Sequence, residues 1–376
     1  MSVDLTTLLK FAKEQGASDL HISAGMSPMV RIRGDMVRIN MPALSRDEAH
    51  TAIVSVMTDE QKKVYEQRRD VDFALELRGV SRFRANVLQQ QRGPAAVFRV
   101  IPSQVIPLDQ LELPKAVKDL ASREKGLVLV TGPTGSGKST TLASMVDYVN
   151  EHLQGHILTI EDPIEFVHES KRCLVNQREI GQHTESFASA LRAGLREDPD
   201  VILVGELRDL ETTQLAISAA ETGHLVFATL HTNSASKTID RVIDVFPPEQ
   251  QGQIRSMLSE SLEGVITQKL LPSKDGKGRV AALEILIAVP AIRNLIRENK
   301  TPQIVTAIQT GAQHGMQSLD QALRDLVMQG KLAREEAIRH GSGTTSFEAP
   351  PGAAGAKPGA PAAKPGGPAR PAAPRG

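Results

Sequence analysis

The sequence predicts an α/β protein with two folded domains, for three reasons. The chain has 376 residues, more than one hydrophobic core usually serves, and 40% of them are hydrophobic, so two cores can be built. After about residue 113, continuous apolar runs alternate with helical patterns, which is typical of a parallel sheet buried on both faces. Before residue 100, short runs alternate between apolar and polar residues, which favours a smaller α+β domain.

Composition limits the environment and the partners. Lys and Arg together number 44, as do Asp and Glu, so no large positive field attracts nucleic acid or an anionic membrane. Cys173 is the only cysteine, which suits a reducing compartment, and we expect it to be a small buried hydrophobe. No stretch approaches the ~18 apolar residues of a membrane span, and charges interrupt the N-terminus where a signal peptide would be apolar. We therefore expect a soluble, cytoplasmic chain that binds no nucleic acid.

The first domain, predicted over residues 1–100, opens with a helix. Leu5, Leu8, Leu9 and Ala12 follow the i, i+3, i+4, i+7 spacing of one helical face. Three later runs alternate as half-buried strands do: MVRIR, DFALEL and SRFRANV. Residues 101–114, IPSQVIPLDQLELP, contain three prolines and little periodicity, so we expect a linker that also acts as a hinge.

The second domain, predicted over residues 115–347 with a helical end, alternates strands and helices. Its segments are, in order, the strand LVLVTG, a helix from Lys138 with Leu142, Met145, Val146 and Val149 on one face, the strand HILTIED, a helix around Phe187, Leu191 and Leu195, the strand VILVGE, a helix from about Glu211, and the strand HLVFATLH. Residues 348–376 consist of Ala, Pro and Gly apart from Glu348, Lys357, Lys364, Arg370 and Arg375. Such a composition cannot build a packed core, so we expect a disordered tail.

The motif GPTGSGKST lies between an apolar strand and an amphipathic helix, the context that a phosphate-binding P-loop requires. Its glycines let backbone amides curl around an anion, and the following helix adds unpaired N–H groups and its positive dipole end. Lys138 is expected to reach the β and γ phosphates, and Ser139 to offer its hydroxyl to Mg²⁺. The predicted ATP-binding residues are Gly132, Pro133, Thr134, Gly135, Ser136, Gly137, Lys138, Ser139 and Thr140.

A P-loop also needs an acid that orients water or holds the metal, at the carboxyl end of a neighbouring strand. VILVGE brings Glu206 to that position, and IEDPIE offers Glu161, Asp162 and Glu165 beside the same crevice; the alternative for each is a solvated surface acid. His224 and His231 bracket the strand LVFATL. They are candidates for sensing the γ-phosphate, although a histidine at a strand end is often only a hydrogen-bonded structural residue.

Arginines separate motors from solitary kinases, because a guanidinium inserted at the γ-phosphate from another subunit makes hydrolysis depend on assembly. In SRFRANV, Arg82 and Arg84 share one face of a strand, whereas Phe83 and Ala85 share the other. Arg99 lies on the next predicted strand. A solvated strand face is the alternative for all three arginines.

The motifs GPTGSGKSTT, TIEDPIEF, LRAGLREDPDVILVGELRD and TGHLVFATLHT together resemble the secretion ATPase superfamily that powers type II and type IV secretion and type IV pili. The resemblance runs over about residues 1–345 and implies a hexameric ring with a PAS-like N-terminal domain and a RecA-like ATPase domain. It assigns Glu161, Asp162 and Glu165 to the aspartate box, Glu206 to the Walker B position as catalytic glutamate and Mg²⁺ neighbour, and His224 and His231 to the histidine box. Arg84 and Arg99 match the arginines that reach bound nucleotide.

The octapeptide AIRNLIRE indicates the branch of this superfamily. By spacing alone it is an amphipathic helix with Ile292, Leu295 and Ile296 on its apolar side, and an ordinary surface helix explains that pattern. The motif as a whole is similar to the one that marks the type IV pilus retraction ATPases; its residues are Ala291, Ile292, Arg293, Asn294, Leu295, Ile296, Arg297 and Glu298. Assembly and secretion ATPases typically carry an extra N-terminal region and a four-cysteine metal site. With one cysteine and a start directly in the short first domain, this sequence is expected to belong to the retraction branch instead.

The resemblance therefore implies a homohexameric motor that hydrolyses ATP with Mg²⁺ to retract type IV pili and drive twitching motility. It would work at the cytoplasmic face of the inner membrane on the pilus platform protein, with paralogous pilus ATPases as candidate partners. A pilus assembly ATPase, a secretion ATPase and an accessory retraction ATPase are the nearer alternatives. A small-molecule kinase, with Arg192 and Arg196 in a lid, and a non-hydrolysing structural ring are the distant ones.

Overall fold

The computed structural model describes residues 4–32, 34–101 and 104–342. The first part of the chain forms one antiparallel sheet covered by helices. Its elements are α1 (Leu5–Glu14), β1 (Asp19–Ser23), β2 (Met29–Ile32), β3 (Asp35–Arg38), α2 (Arg46–Val54), α3 (Asp59–Arg68), β4 (Asp70–Leu77), β5 (Ser81–Gln90) and β6 (Gly93–Ile101). The strand order is β3-β2-β1-β6-β5-β4.

The core of this first part follows from local sequence patterns. The four apolar residues that predicted α1 are all buried, so that prediction is confirmed. In β5 the even and odd positions separate as expected, because Phe83 and Ala85 are fully buried and Arg84 is exposed. Two serine and threonine capping boxes, at Ser45 and Thr58, begin α2 and α3 by satisfying the free N–H groups of their first turns.

The predicted linker is partly structured. β6 ends at Ile101, and a 3-10 turn follows at Leu108–Leu111. Leu108 packs into the core of the second part, and Ser144 Oγ donates a hydrogen bond of 2.6 Å to the carbonyl oxygen of Ile106. Residues 106–111 therefore lie against the second part of the chain, so this stretch of the predicted hinge is packed rather than free.

The second part of the chain is built on a seven-stranded sheet. Its elements are α4 (Lys115–Ala121), β7 (Gly126–Thr131), α5 (Lys138–His152), β8 (His156–Glu161), β9 (Leu174–Glu179), α6 (Phe187–Gly194), β10 (Val201–Val204), α7 (Leu210–Glu221), β11 (Leu225–Leu230), α8 (Ala235–Asp244), α9 (Pro248–Ser261), β12 (Leu262–Pro272), β13 (Arg279–Ile287), α10 (Pro290–Arg297), α11 (Ile304–Thr310), α12 (Leu319–Met328) and α13 (Arg334–His340). The strand order is β13-β12-β7-β11-β10-β8-β9.

The sheet confirms the α/β prediction and corrects one detail. Six strands run parallel, and every residue of β7, β10 and β11 is buried, as expected for a sheet covered on both faces. β13, however, pairs antiparallel with β12, so the sheet is mixed. Cys173 is buried as expected, with its Sγ donating to the carbonyl oxygen of Leu153 at 3.1 Å.

The sequence also predicted a disordered tail and no membrane-spanning segment. The tail prediction falls on residues 348–376, which lie outside the described residues. Among the helices of the described ranges, none has both the length and the apolar character that crossing a bilayer requires.

Candidate nucleotide site

A cavity of about 640 Å³ lies at the carboxyl edge of the parallel sheet, where β7, β8, β10 and β11 end. Its floor is the P-loop and the first turns of α5, and its opposite wall carries Arg84 and Arg99 from the antiparallel sheet. Ligands of open α/β sheets bind outside the carboxyl ends of the strands, so the cavity lies where the fold favours a site.

The P-loop adopts a shape that its glycines make possible. Gly132 and Gly137 have φ of 142° and 89°, in the region that L side chains avoid. A Cβ at Gly132 would lie 2.3 Å from the carbonyl oxygen of Gln268, and one at Gly137 would lie 2.8 Å from the Gln268 side-chain nitrogen. Gln268, on β12, thus holds the loop from behind, and its Oε1 also accepts a 2.8 Å hydrogen bond from Thr141 in α5.

Lys138 points into the loop. Its Nζ donates to the carbonyl oxygens of Gly132 and Pro133 at 2.8 and 3.1 Å. Burial lowers the pKa of Lys138, whereas Glu206 and Glu165 act in the opposite direction. Of the nine predicted P-loop residues, six line the cavity: Thr134, Gly135, Gly137, Lys138, Ser139 and Thr140. Of the other three, Gly132 and Pro133 offer their carbonyl oxygens to Lys138, and Ser136 is buried.

Glu206 lies two residues beyond the end of β10, as the sequence indicated. Its Oε2 forms a 2.7 Å ion pair with Arg208, and its Oε1 lies 3.4 Å from Nε2 of His231. Burial by itself would raise the pKa of Glu206, but the Arg208 guanidinium and His231 outweigh it and hold the pKa below its ordinary value. Glu206 is therefore an ionised carboxylate that can accept a hydrogen bond from a water molecule in the cavity.

Glu161, at the end of β8, has the opposite character. Burial raises its pKa, against the hydrogen bonds that its Oε1 accepts from Thr159 at 2.6 Å and Gln177 at 3.2 Å. Two carboxylates in one cavity thus have pKa values displaced in opposite directions, an arrangement that separates acid and base roles in many enzymes. Asp162 and Glu165 also line the cavity and are exposed.

The two predicted histidines lie at opposite edges of the sheet. His231 follows β11 and lines the cavity, whereas His224 precedes the same strand, and its Nδ1 lies 2.9 Å from the carbonyl oxygen of Ala219. A strand of this length spans about 20 Å at ~3.3 Å per residue, so residues that bracket it cannot both reach one site in the same chain. The structure brings His231 to the cavity and leaves His224 away from it.

Arg84 and Arg99 lie directly opposite each other on β5 and β6, and both line the cavity of their own chain. The sequence argument expected a neighbouring subunit to supply such arginines; in this structure the chain's own N-terminal sheet supplies them. Nε of Arg99 donates a 3.0 Å hydrogen bond to Asp19 on β1, which is buried. Asp19 therefore holds Arg99 in orientation while the rest of its guanidinium stays available.

Other residues of the site were missed by the sequence analysis. Arg208 follows Glu206 by two residues, so its position after a strand could have indicated it. His168 lines the cavity, and burial lowers its pKa to about 4, so it is a neutral imidazole near pH 7. Gln177 lies on β9 and its Nε2 joins Glu161 to the carbonyl oxygen of Phe166. No local pattern indicates His168 or Gln177, because both depend on the path of the loop between β8 and β9.

The kinase lid and the retraction motif both lie away from the cavity. Arg192 pairs with Glu211. Arg196 lies beyond the end of α6 and donates a 3.2 Å hydrogen bond to the carbonyl oxygen of Arg192, so neither arginine reaches the site. In α10, Ile292 and Ile296 are buried as predicted. Arg293 lies outside the apolar side of α10, and its Nη1 donates to the carbonyl oxygens of Ser259 and Glu260 at the C-terminus of α9.

The residues present fit a nucleoside triphosphate with Mg²⁺. The loop is a cradle that a Cβ at Gly132 or Gly137 would fill, Lys138 supplies a cation, and the exposed Ser139 hydroxyl lines the cavity. Within residues 4–32, 34–101 and 104–342, no group of three or more His, Cys, Asp and Glu side chains could hold a metal ion. Proteins usually hold Mg²⁺ through one or two side chains plus phosphate oxygens and waters, and the Ser139 hydroxyl is one side chain that could serve in this way.

Comparison with known proteins identifies the family. The model of the family described as type II/IV secretion system protein matches residues 2–339. The chain belongs to this family. It is 59% identical over 335 residues to the type IV pilus retraction ATPase PilT of Pseudomonas aeruginosa, with 89% of this chain and 97% of that protein covered.

Two further comparisons agree with that family membership. The chain is 56% identical over 347 residues to a twitching motility protein of Neisseria gonorrhoeae, covering 92% of this chain and 93% of the relative. Among solved structures, it matches a crystal structure of the pilus retraction motor PilT with bound ADP at a TM-score of 0.85 and 49% identity. That match covers 91% of this chain and 98% of the other. The chain thus spans nearly the whole length of these family members.

Proposed function

We propose that the protein is a motor ATPase that hydrolyses ATP to retract type IV pili and so drives twitching motility. The observation that carries the proposal is the cavity itself, in which a P-loop, an ionised Glu206 and two arginines from a second sheet converge. The names of the two relatives, a pilus retraction ATPase and a twitching motility protein, support the direction of the work. The ADP-bound relative supports an adenine nucleotide as ligand.

The chemistry follows from the residues around the cavity. Backbone amides of the P-loop and Lys138 would bind the phosphates, and Glu206 would orient a water molecule for in-line attack on the γ-phosphate. Mg²⁺, held by Ser139 with Glu206 nearby, would neutralise charge on the phosphate oxygens. Arg84 and Arg99 would add positive charge from the antiparallel sheet, so that closing the two parts of the chain on ATP completes the site.

The finer assignments belong to the same proposal. The antiparallel part, to about residue 100, is PAS-like and the part from residue 115 is RecA-like. The predicted linker of residues 101–114 allows them to move, with residues 106–111 moving together with the second part. Six copies form a ring at the cytoplasmic face of the inner membrane, where the motor acts on the platform protein of the pilus and works beside paralogous pilus ATPases. Family membership supports the ring, in which Asp162 and Glu165 keep their assignment to the aspartate box and His231 its assignment to the histidine box. His224 is assigned to the same histidine box but lies away from the cavity of its own chain.

The direction of the motor is tested in the piliated host. Replacing Lys138 with Ala removes the phosphate-binding cation, so a retraction motor would leave cells with more surface pili and no surface motility. Cells without pili would instead identify an assembly motor and overturn the proposed direction. The matched biochemical test is Glu206→Gln, which should bind ATP and lose at least about 100-fold in hydrolysis, as expected for a group that acts on the attacking water. An unchanged rate of phosphate release would refute the role of Glu206.

A further inference from the structure

Glu179, the last residue of β9, is a buried carboxylate that does not line the cavity. Its residue exposure is 2%, and its Oε2 receives two hydrogen bonds from different parts of the fold. One comes from Nη2 of Arg82 at 2.6 Å, and the other comes from the backbone N–H of Ile164 at 3.1 Å. A charge this deeply buried is costly unless it is paired, and so the contacts of Glu179 are strongly specified.

The bond to Arg82 connects the two sheets of the protein. Arg82 lies on β5 of the antiparallel sheet, and its side chain is only 13% exposed where it meets Glu179. Its Nε is buried and has no hydrogen-bond partner among the described residues, so Glu179 is the contact that compensates the guanidinium. Because Arg82 and Arg84 share one face of β5, fixing Arg82 also fixes where Arg84 enters the cavity.

The bond to Ile164 holds the acidic loop. Ile164 lies between Asp162 and Glu165, both of which line the cavity. Glu179 is also the register partner of Glu161 across the parallel pair of β8 and β9. The same carboxylate oxygen therefore restrains the arginine-bearing sheet on one wall and the acidic loop on the other.

We propose that Glu179 is a positioning residue for ATP hydrolysis that sets both walls of the cavity at once. Docking of the antiparallel sheet through Arg82 and the shape of the loop at residues 162–165 are coupled through this one group. Separation of the two sheets would remove the guanidinium from Glu179 and leave a buried charge with one backbone N–H. The inference rests on the proposed hydrolysis of ATP in this cavity.

The test separates the two contacts by kinetics of ATP hydrolysis in the full chain. Glu179→Gln keeps an oxygen for the Ile164 N–H and loses the charge that binds Arg82, so we expect the KM for ATP to rise on the order of tenfold, within the usual range of coupling between sites. Under saturating ATP, kcat should change less than about threefold, since the loop stays held. Glu179→Ala loses both contacts, so kcat should fall as well, by roughly tenfold or more.

Arg82→Gln provides the second arm and keeps the inference testable if the Glu179 variants fail to fold. It should raise the KM as Glu179→Gln does, and the double variant should be no worse than either single one, because Arg82 acts only through Glu179. Arg178→Gln is the matched control. Arg178 precedes Glu179 on the same strand and pairs with Glu197 at 3.3 Å without crossing between the sheets, so its loss should leave the KM within about twofold.

The outcomes divide as follows. The positioning role would be overturned if Arg82→Gln and folded Glu179→Gln both kept the KM of the parent. Additive effects in the double variant would overturn it as well. If these variants then differed from the parent only in a lowered melting temperature, the pair would be purely structural. Lys138→Ala distinguishes this failure from failure of the proposed function. If that variant still hydrolyses ATP, the cavity is not the site of hydrolysis; if it is inactive while the Glu179 and Arg82 variants behave as the parent, only the role of Glu179 is refuted.

Discussion

Replacing Arg208 with Gln should move the acid limb of the pH–rate profile to higher pH. Nη2 of Arg208 lies 2.7 Å from Glu206 Oε2, and this contact is a principal reason that the pKa of Glu206 is lowered despite its partial burial. Without the guanidinium, the burial that acts to raise the pKa is opposed chiefly by His231. The pKa of Glu206 therefore rises, and the catalytic carboxylate becomes protonated at a higher pH than in the parent.

The magnitude follows from the exposure of the pair. An arginine beside a carboxylate typically lowers the carboxyl pKa by about 1 to 3 pH units. The Arg208 side chain is 60% exposed, so solvent screens the pair and the lower end of that range applies. We expect the acid limb to move upward by about one pH unit, which corresponds to about 1.4 kcal/mol in the relative stability of the two protonation states.

The measurement is kcat for ATP hydrolysis at saturating ATP from about pH 4 to 8, because this profile reports ionisations in the enzyme–substrate complex. Circular dichroism at each pH restricts the comparison to folded protein. Arg208→Lys retains the positive charge and should keep its acid limb near that of the parent. The absolute rate of Arg208→Gln does not enter the comparison. An acid limb at the same pH in Arg208→Gln and the parent would refute the assignment of Arg208 as the group that keeps Glu206 ionised.

Three further predictions address other parts of the fold. Asp19→Asn should lower the free energy of unfolding by about 1 to 2 kcal/mol in denaturant melts. This value is at the low end of the range for a hydrogen bond between charged groups, because the Arg99 side chain is 68% exposed and solvent screens the pair. Burial would raise the pKa of Asp19, but Ser18 and Arg99 outweigh it and lower the pKa, so this deficit should be present at neutral pH and shrink as pH falls through the folded-state pKa. Ile296→Ala should cost about 2 to 5 kcal/mol in the same melts because Ile296 is fully buried in α10, whereas Asn294→Ala, an exposed control on that helix, should cost under about 0.5 kcal/mol; equal losses would contradict the packing of α10. Gly137→Ala should weaken ATP binding by roughly tenfold, about 1.4 kcal/mol, as measured by titration calorimetry, and parental affinity would show that the loop tolerates a Cβ there.

The elements that the sequence predicted well are those that produce a local pattern of apolar and polar residues. The helix at Leu5–Glu14, the buried strands of the parallel sheet and the amphipathic α10 all follow from the spacing of apolar residues, because that spacing reports which side of an element is buried. The P-loop is equally local, since glycines with positive φ, a lysine and a following helix are all contained in nine residues.

The antiparallel edge of the large sheet and the accessory residues of the site could not be read in this way. β12 and β13 are apolar runs, and their sequences do not indicate whether the two strands pair parallel or antiparallel. Gln177 reaches Glu161, and the backbone N–H of His168 reaches Gln177, only because the chain turns back between β8 and β9. These features depend on strand order and loop path, and neither leaves a periodic signal in the sequence.

By itself the sequence determined that this chain has an α/β fold with a P-loop, acids at two strand ends and arginines on one strand face. Tertiary structure alone decided which of them meet. It brought His231 and not His224 to the cavity, turned Arg84 and Arg99 toward the P-loop of their own chain, and joined Arg82 to Glu179 across 97 positions of sequence. The physical reason is that the spacing of apolar residues along the sequence indicates which residues of an element are buried. The pairing of charges across two sheets depends instead on how those sheets pack.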